Sequence, residues 1–216
     1  MPITPESIRA KFGGDYVASP RTFRLGIGRF FSCHLPERFR GRRVLETCTD
    51  AGFCTIALAE TAERVITVEI DPEHHSQALV NVEKAGLLPQ VTFVSGDILA
   101  PGVLDSCGPF DAAFLDPDWA VTGPDHVHRF RQSNMRPPAD LLLARILERT
   151  SDIALILPTS IAGSEFDGLP QHERETLFLD ESRELFCLYF GSLMQRSGLT
   201  EWHASAAAPR NPGLTG

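Results

Sequence analysis

VLETCTDAG (44–52), VITVEIDP (65–72), VTFVSGD (91–97) and FDAAFLDPDW (110–119) follow one another at ordinary spacing, and each sets an apolar run against a polar tip bearing a carboxylate. A parallel sheet is covered by helices on both faces, so its strands read as near-continuous apolar runs. Its ligands gather in the crevice beyond the carboxyl ends of the strands. The four segments therefore predict a site as well as a fold, with Glu46, Glu69, Asp97 and Asp116 at successive strand ends.

Working outward from these segments, the hydrophobic period predicts strands over 43–48, 64–70, 91–96, 110–116 and 152–157, and helices over 52–62, 72–86 and 138–149. Asp71-Pro72 is a sound helix start, and Gly86 stands where a left-handed C-cap would end that helix. Residues 98–109 read as irregular and 117–137 as a long loop. Strands alternating with helices imply an α/β domain with right-handed crossovers. TLFLD and ELFCLYFGSL, parted by a few polar residues from Glu175 onward, read as a hairpin, so the sheet is expected to end antiparallel. The organisation expected is a basic extension over 1–41, one domain over 42–203, and a frayed tail over 204–216, where ASAAAPRNPGLTG is rich in small residues and proline.

A chain of 216 residues with 43% apolar and 22% charged content suits one well-buried globular domain and excludes collagen-like, coiled-coil and extensively disordered classes. No apolar stretch reaches the roughly 20 residues of a membrane-spanning helix, and the first thirty residues have no signal-peptide core. The five cysteines (33, 48, 54, 107 and 187) are scattered, with no CxxC pair, which fits reduced thiols and a cytoplasmic setting. His126 and His128 alternate in a loop, where solvated or substrate-facing roles fit better than ligation, and no metal site is expected.

The net charge of −8 is unevenly placed: residues 1–43 carry nine basic against three acidic side chains, a balance of +6 that leaves −14 for the rest. A second basic group, HVHRFRQSNMR (126–136), follows the DPDW segment. Either the two stretches border one cleft and meet a polyanion such as RNA, or their arginines are solvated surface residues.

The chemistry follows from the strand tips. The turn from Glu46 to Gly52 lies where a cofactor's charged part meets a helix N-terminus, though only Gly52 remains of the usual glycine-rich run. Glu69 is placed to accept from both ribose hydroxyls of an adenosine, and Asp97 from its amino group; each alone would serve equally well as a cap or turn residue. Asp116-Pro117-Asp118-Trp119 is the sharpest signal. An exocyclic base amine is a poor nucleophile, and the Asp116 carboxylate with the Pro117 carbonyl can accept its two hydrogens and aim its lone pair, while Trp119 stacks on the base.

On these residues, together with KFGGDYVASP, SGD, LILPTSI and CLYFGSL, the chain resembles the class I S-adenosylmethionine-dependent methyltransferases over roughly residues 42–192. Within them it looks most like the trimethylguanosine synthase group, which methylates guanine N2 in RNA caps. The resemblance implies a Rossmann-like fold whose seven-stranded, mostly parallel sheet has an antiparallel last strand and helices on both faces. It implies S-adenosylmethionine as cofactor, held by Glu46, Cys48, Thr49, Gly52, Glu69, Ile70, Asp97, Ile98 and Asp116, with Asp116, Pro117, Asp118 and Trp119 on the target base. Two departures stand out: Thr49, Asp50 and Ala51 replace first-turn glycines, and Asp118 replaces the second proline of the family's pattern. The alternatives are a methyltransferase of DNA, protein or a small molecule, and an inactive fold that binds RNA or a protein. A nicotinamide enzyme is disfavoured because 46–52 lacks GxGxxG.

Overall fold

The computed structural model describes residues 2–119 and 127–206. The elements in chain order are α1 (Pro5–Phe12), α2 (Pro20–Leu25), α3 (Arg29–Ser32), a 3-10 turn (Leu35–Phe39), β1 (Arg43–Thr47), α4 (Phe53–Ala59), β2 (Arg64–Glu69), α5 (Pro72–Lys84) and β3 (Val91–Ser95). They continue with α6 (Val103–Ser106), β4 (Ala112–Leu115), α7 (Ala139–Leu147), β5 (Ile153–Pro158), a 3-10 turn (Gly163–Phe166), β6 (His172–Leu179), β7 (Ser182–Phe190) and β8 (Gly198–Ala204). One sheet joins the strands in the order β3-β2-β1-β4-β5-β7-β6-β8. β1 to β5 pair in parallel, and β7 runs antiparallel to both β5 and β6.

The predicted alternation of strands and helices is found, with ends shifted by a residue or two except at α4, which stops at Ala59, and α6, which interrupts the segment read as irregular. α5 starts as its sequence requires: Asp71 Oδ1 accepts from the N–H groups of Glu73 (2.8 Å) and His74 (3.3 Å), and Pro72 occupies the first turn. Gly86 takes φ 73°, the left-handed conformation that closes the helix. Two apolar layers sandwich the sheet. α4, α5 and the N-terminal Phe31, Leu35 and Phe39 cover one face, and α6 and α7 cover the other through Leu104, Leu142, Leu143 and Ile146.

Two expectations change. The sheet has eight strands, not seven, because Gly198–Ala204 adds β8 in parallel beside β6 and packs the half-buried Trp202 against Phe31 and the ring of His34, stacked at 4.2 Å. The tail read as frayed from residue 204 is held as far as 206, since Asp180 N–H donates to Ala204 O (2.7 Å) and Asp180 Oδ1 accepts from Ser205 and Ala206. Residues 207–216 lie outside the described residues. No helix among the described residues is long and apolar enough to cross a membrane.

The segment read as an extension carries structure of its own. Thr4-Pro5-Glu6-Ser7 and Ser19-Pro20-Arg21-Thr22 are reciprocal capping boxes that start α1 and α2. Phe12 stacks on Phe53 of α4 at 3.5 Å between ring centroids. Asn81 of α5 is bonded through its side chain to the Val17 backbone and to Ala51 O.

Arg38 joins this segment to the far strands. Its side chain is only 3% exposed, lies over the Tyr189 ring at 3.7 Å, and donates to Glu173 (2.7 Å) and Glu175 (3.2 Å) of β6. Burial alone would raise the pKa of Glu173, but bonds from Arg38, the Gln195 N–H and Thr200 win and hold it at about 2. That contribution to stability is complete above the unfolded carboxylate value and fades as pH falls toward 2. Arg38→Met, which leaves both glutamates without their cation, is expected to lower the unfolding free energy by about 3–5 kcal/mol. Thermal melts should show a midpoint lower by roughly 10 °C, with a smaller deficit at mildly acidic pH, where the orphaned carboxylates can take up protons.

Candidate active site

A cavity of about 860 Å³ opens at the carboxyl ends of β1, β2, β3 and β4. Its lining includes Cys48, Thr49, Glu69, Ile70, Asp97, Ile98, Asp116, Pro117, Asp118 and Trp119, so ten of the residues singled out in the sequence share one hollow. Glu46 and Gly52 are outside it.

The first turn is poor in glycine yet follows a glycine-like path. Cys48 (φ 63°) and Asp50 (φ 51°) both take the left-handed conformation, as does Gly52 (φ 81°). For residues other than glycine this costs roughly 1–2 kcal/mol, least for Asp and Asn. The turn therefore keeps its course while turning Cys48, Thr49 and Asp50 toward the cavity, which they line without filling. Gly52 answers a packing demand, because a Cβ there would come within 3.1 Å of Ala78 on α5.

Glu46 lies beneath this turn, 1% exposed, with Oε2 accepting from Thr55 (2.5 Å) and Thr67 (2.6 Å). Burial pushes its pKa up to about 7 against those two bonds. Glu69 ends β2 and joins two neighbouring turns: Oε2 accepts from Asp50 N–H and Oε1 from Asp71 N–H, each at 2.9 Å. Each carboxylate oxygen keeps a further lone pair for a ligand hydroxyl. Asp97 is exposed at the rim, one oxygen fixed by Leu99 N–H at 2.9 Å, and Ile98 beside it is buried.

Asp116 ends β4. Burial, then the negative charges of Asp50, Glu46 and Asp118, push its pKa up to about 8 despite a hydrogen bond from the Trp119 side chain. Asp50 is also raised, chiefly by burial, with His74 opposing, and its Oδ2 is buried with no hydrogen-bond partner. Trp119 packs against the α7-side core with its ring edge-on to His128 at 6.0 Å. Trp119 O accepts from His128 Nε2 at 2.9 Å, which leaves Nδ1 facing Ser160 Oγ at 2.8 Å.

Asp118 has a role the sequence did not disclose. Its N–H donates to Arg136 O (2.8 Å), a bond a second proline could not make, and its own carbonyl accepts from Arg136 N–H (3.0 Å). Its carboxylate pairs with Arg21 of α2 and, at 3.3 Å, with Arg136. This pairing holds α2 against the cavity, where Arg21, Arg24, Leu25, Gly26 and Ile27 supply a wall. Sequence reading missed that wall, for which the only signal was the positive charge of its arginines.

In the basic N-terminal segment Arg9, Arg21, Arg38, Arg40, Arg42 and Arg43 all enter ion pairs, Arg9 and Arg40 at the surface with Asp15 and Glu37 of the same segment and the other four with carboxylates elsewhere in the chain. In the second basic stretch Arg131 donates to the carbonyls of Glu165 and Asp167. Gly123, Pro124 and His126 lie outside the described residues. Among the described residues no group of three or more His, Cys, Asp or Glu side chains is placed to hold a metal ion.

No protein-family model matches the chain. It is 42% identical over 91 residues to a catechol O-methyltransferase of Mycobacterium tuberculosis, a match covering 41% of each chain. It is 38% identical over 97 residues to a catechol O-methyltransferase of Niastella koreensis, covering 42% of this chain and 43% of that one. The matched segments thus span about two-fifths of these curated relatives. Among solved structures, a protein of Porphyromonas gingivalis W83 provisionally assigned as a methyltransferase superposes with a TM-score of 0.69 at 18% identity, over 89% of this chain and 48% of that one. A Klebsiella pneumoniae protein provisionally assigned as an O-methyltransferase does so with a TM-score of 0.52 at 20% identity, over 85% of each.

The two glycine-like positions give a test of the turn. Gly52→Ala is expected to lower the unfolding free energy by about 1–3 kcal/mol, through left-handed strain and the approach to Ala78. Cys48→Gly should stay within about 1 kcal/mol of the parent, because relieved strain offsets the entropy glycine adds to the unfolded chain. Denaturant titrations of the two variants check both.

Proposed function

From a chain that carries the Rossmann-like fold of the class I S-adenosylmethionine-dependent methyltransferases, and matches curated members over part of its length, we propose a methyltransferase that uses S-adenosylmethionine and acts on a ring hydroxyl or amine of a planar aromatic acceptor. The observation that carries this reading is one cavity lined by Glu69 and Asp97 at one pair of strand ends and by Asp116 to Trp119 at another.

The residues fit the cofactor. Glu69 offers spare lone pairs to ribose hydroxyls, Ile70 and Ile98 offer apolar contact to a base, and the carboxyl of Asp50 lines the cavity where a sulfonium would be stabilised. When bound, S-adenosylmethionine supplies an electrophilic methyl group. Asp116 then has two tasks: it accepts the hydrogen bond that orients the acceptor, and it takes the proton that the hydroxyl or amine loses. A carboxylate whose pKa stands at about 8 is a far better proton acceptor near neutrality than an ordinary aspartate. Pro117 and Trp119 supply apolar walls that exclude water from the acceptor.

A finer reading, guanine N2 in RNA, draws on Asp116 and the Pro117 carbonyl as paired acceptors for an amine and on the basic stretches 1–41 and 126–136. The ion pairs that absorb six N-terminal arginines weigh against it, and the catechol-acting relatives favour a small aromatic acceptor. Salt separates the two: turnover of an RNA held by several phosphate contacts falls steeply between about 50 and 200 mM salt, and turnover of a neutral phenol does not.

For the main reading, Asp116→Asn should cut methyl transfer from labelled S-adenosylmethionine by about 100-fold or more, while calorimetry shows cofactor affinity within about fivefold of the parent. The parent kcat/KM should rise with pH and level off above about 8, because Asp116 must be deprotonated to act as base, and the variant should lose that limb. Absence of cofactor binding by the parent would defeat the proposal.

A further inference from the structure

A second hollow of about 300 Å³ shares no residue with the main cavity and lies on β6 and β8 near their first residues, toward the amino ends of the parallel strands. It is lined by Gly163, Phe166, Asp167, His172, Arg174, Gly198 and Leu199.

Arg174 is its unusual member. The sequence Glu173-Arg174-Glu175 looks self-neutralising, but strand alternation sends both glutamates to the opposite face, where Arg38 engages them. Among the described residues the Arg174 guanidinium enters no ion pair, and its Nε is buried without a hydrogen-bond partner. Instead it lies over two aromatic rings, 5.7 Å from the Phe166 centroid and 5.1 Å from that of Phe186. Gly163 makes room for it, since a Cβ at that position would come within 2.8 Å of Nη1. A guanidinium stacked in this way is fixed in direction and still owes its fork of donors to an acceptor.

The surroundings narrow the acceptor. His172, two residues along the same face, has Nδ1 at 2.8 Å from Pro170 O, so that nitrogen donates and Nε2 is left as the ring's other polar atom. Leu199 is paired in register with Arg174 on β8 and is 72% exposed, a large apolar side chain at the edge of the hollow. Asp167 stands exposed on the lining and limits how much negative charge can enter. We propose that this hollow binds a small organic monocarboxylate, its carboxylate on the Arg174 fork and its apolar body across Phe166 and Leu199.

Benzoate is a suitable probe, titrated into the full chain while backbone amide resonances are followed by NMR. Saturable shifts are expected at residues 172–174 and 198–199 with a dissociation constant of about 1 mM. Arg174→Gln should weaken binding at least about tenfold, by removing the charge-assisted bonds. Leu199→Glu provides a variant that cannot unfold the core, because residue 199 is solvent-exposed; its carboxylate sits beside Arg174 and should abolish the benzoate response. Benzyl alcohol should bind more weakly than benzoate, as should inorganic phosphate. Shifts in both variants equal to those of the parent, no shifts in the parent, or phosphate binding as well as benzoate would each overturn the assignment.

Discussion

Carboxylates crowd the carboxyl ends of β1, β2 and β4, and the cost of holding them together away from water is what the surrounding structure is arranged to meet. Glu69 is stabilised by two backbone N–H groups, that of Asp71 just beyond its own strand and that of Asp50, which the left-handed bends at Cys48 and Asp50 bring to it from the first turn. Glu46 is relieved by two threonine hydroxyls, and Asp118 by two arginines. Asp116 receives a bond from the Trp119 side chain but, among the described residues, no paired cation, so burial and its acidic neighbours hold its proton to about pH 8. Burial raises both Glu46 and Asp116, to about 7 and about 8, but Glu46 is enclosed beneath the turn by its two threonines while Asp116 lines the cavity, so of the two it is Asp116 whose proton faces a ligand.

The same compensation explains why the N-terminal segment belongs to the site. Composition marks residues 1–41 as a basic stretch, but contacts cross that boundary at Phe12 on Phe53, Asn81 on Val17 and Arg21 on Asp118. Arg21 neutralises one carboxylate and in doing so presents Leu25, Gly26 and Ile27 as a cavity wall. Arg38 does the equivalent at the other end of the sheet, linking the 3-10 turn before β1 to β6. Positive charge near the N-terminus is therefore largely a structural complement to negative charge elsewhere in the chain.

Local signals were legible where a single element decides the outcome. The apolar runs and the Asp71-Pro72 start located β1 to β5 and α5, because burial on both faces and capping act within a few residues. That ten of the residues singled out would line one cavity was readable for the same reason, as strand tips in a parallel sheet converge whatever their partners are. Where an outcome depends on tertiary pairing, sequence was mute. GLTEWHA has an ordinary alternation and becomes β8 only because β6 offers an edge and the Phe31 and His34 rings a surface for Trp202 to pack on. Nothing in the sequence shows that Thr55 and Thr67 enclose the Glu46 carboxylate, or that Ala78 packs against Gly52. Asp118, a misplaced residue by pattern, is explained once Arg136 is brought against it by the return of the chain.

Charge also bears on what can approach the cavity. A polyanion drawn to residues 1–43 would need cations in excess there, yet six of the nine basic side chains are already paired, and the remaining chain carries −14. The field near the strand tips is set by Asp50, Glu69, Asp71, Asp97, Asp116 and Asp118 against Arg21, Arg24 and Arg136, so it favours cationic or neutral groups over phosphates. A sulfonium and an uncharged aromatic ring, the pair proposed above, would suit that field together. Protonation of Asp116 lowers the negative charge by one when no cation is present, and a bound cation would favour its release. In the proposed reading, binding of the sulfonium would therefore help to free the carboxylate that takes the acceptor's proton.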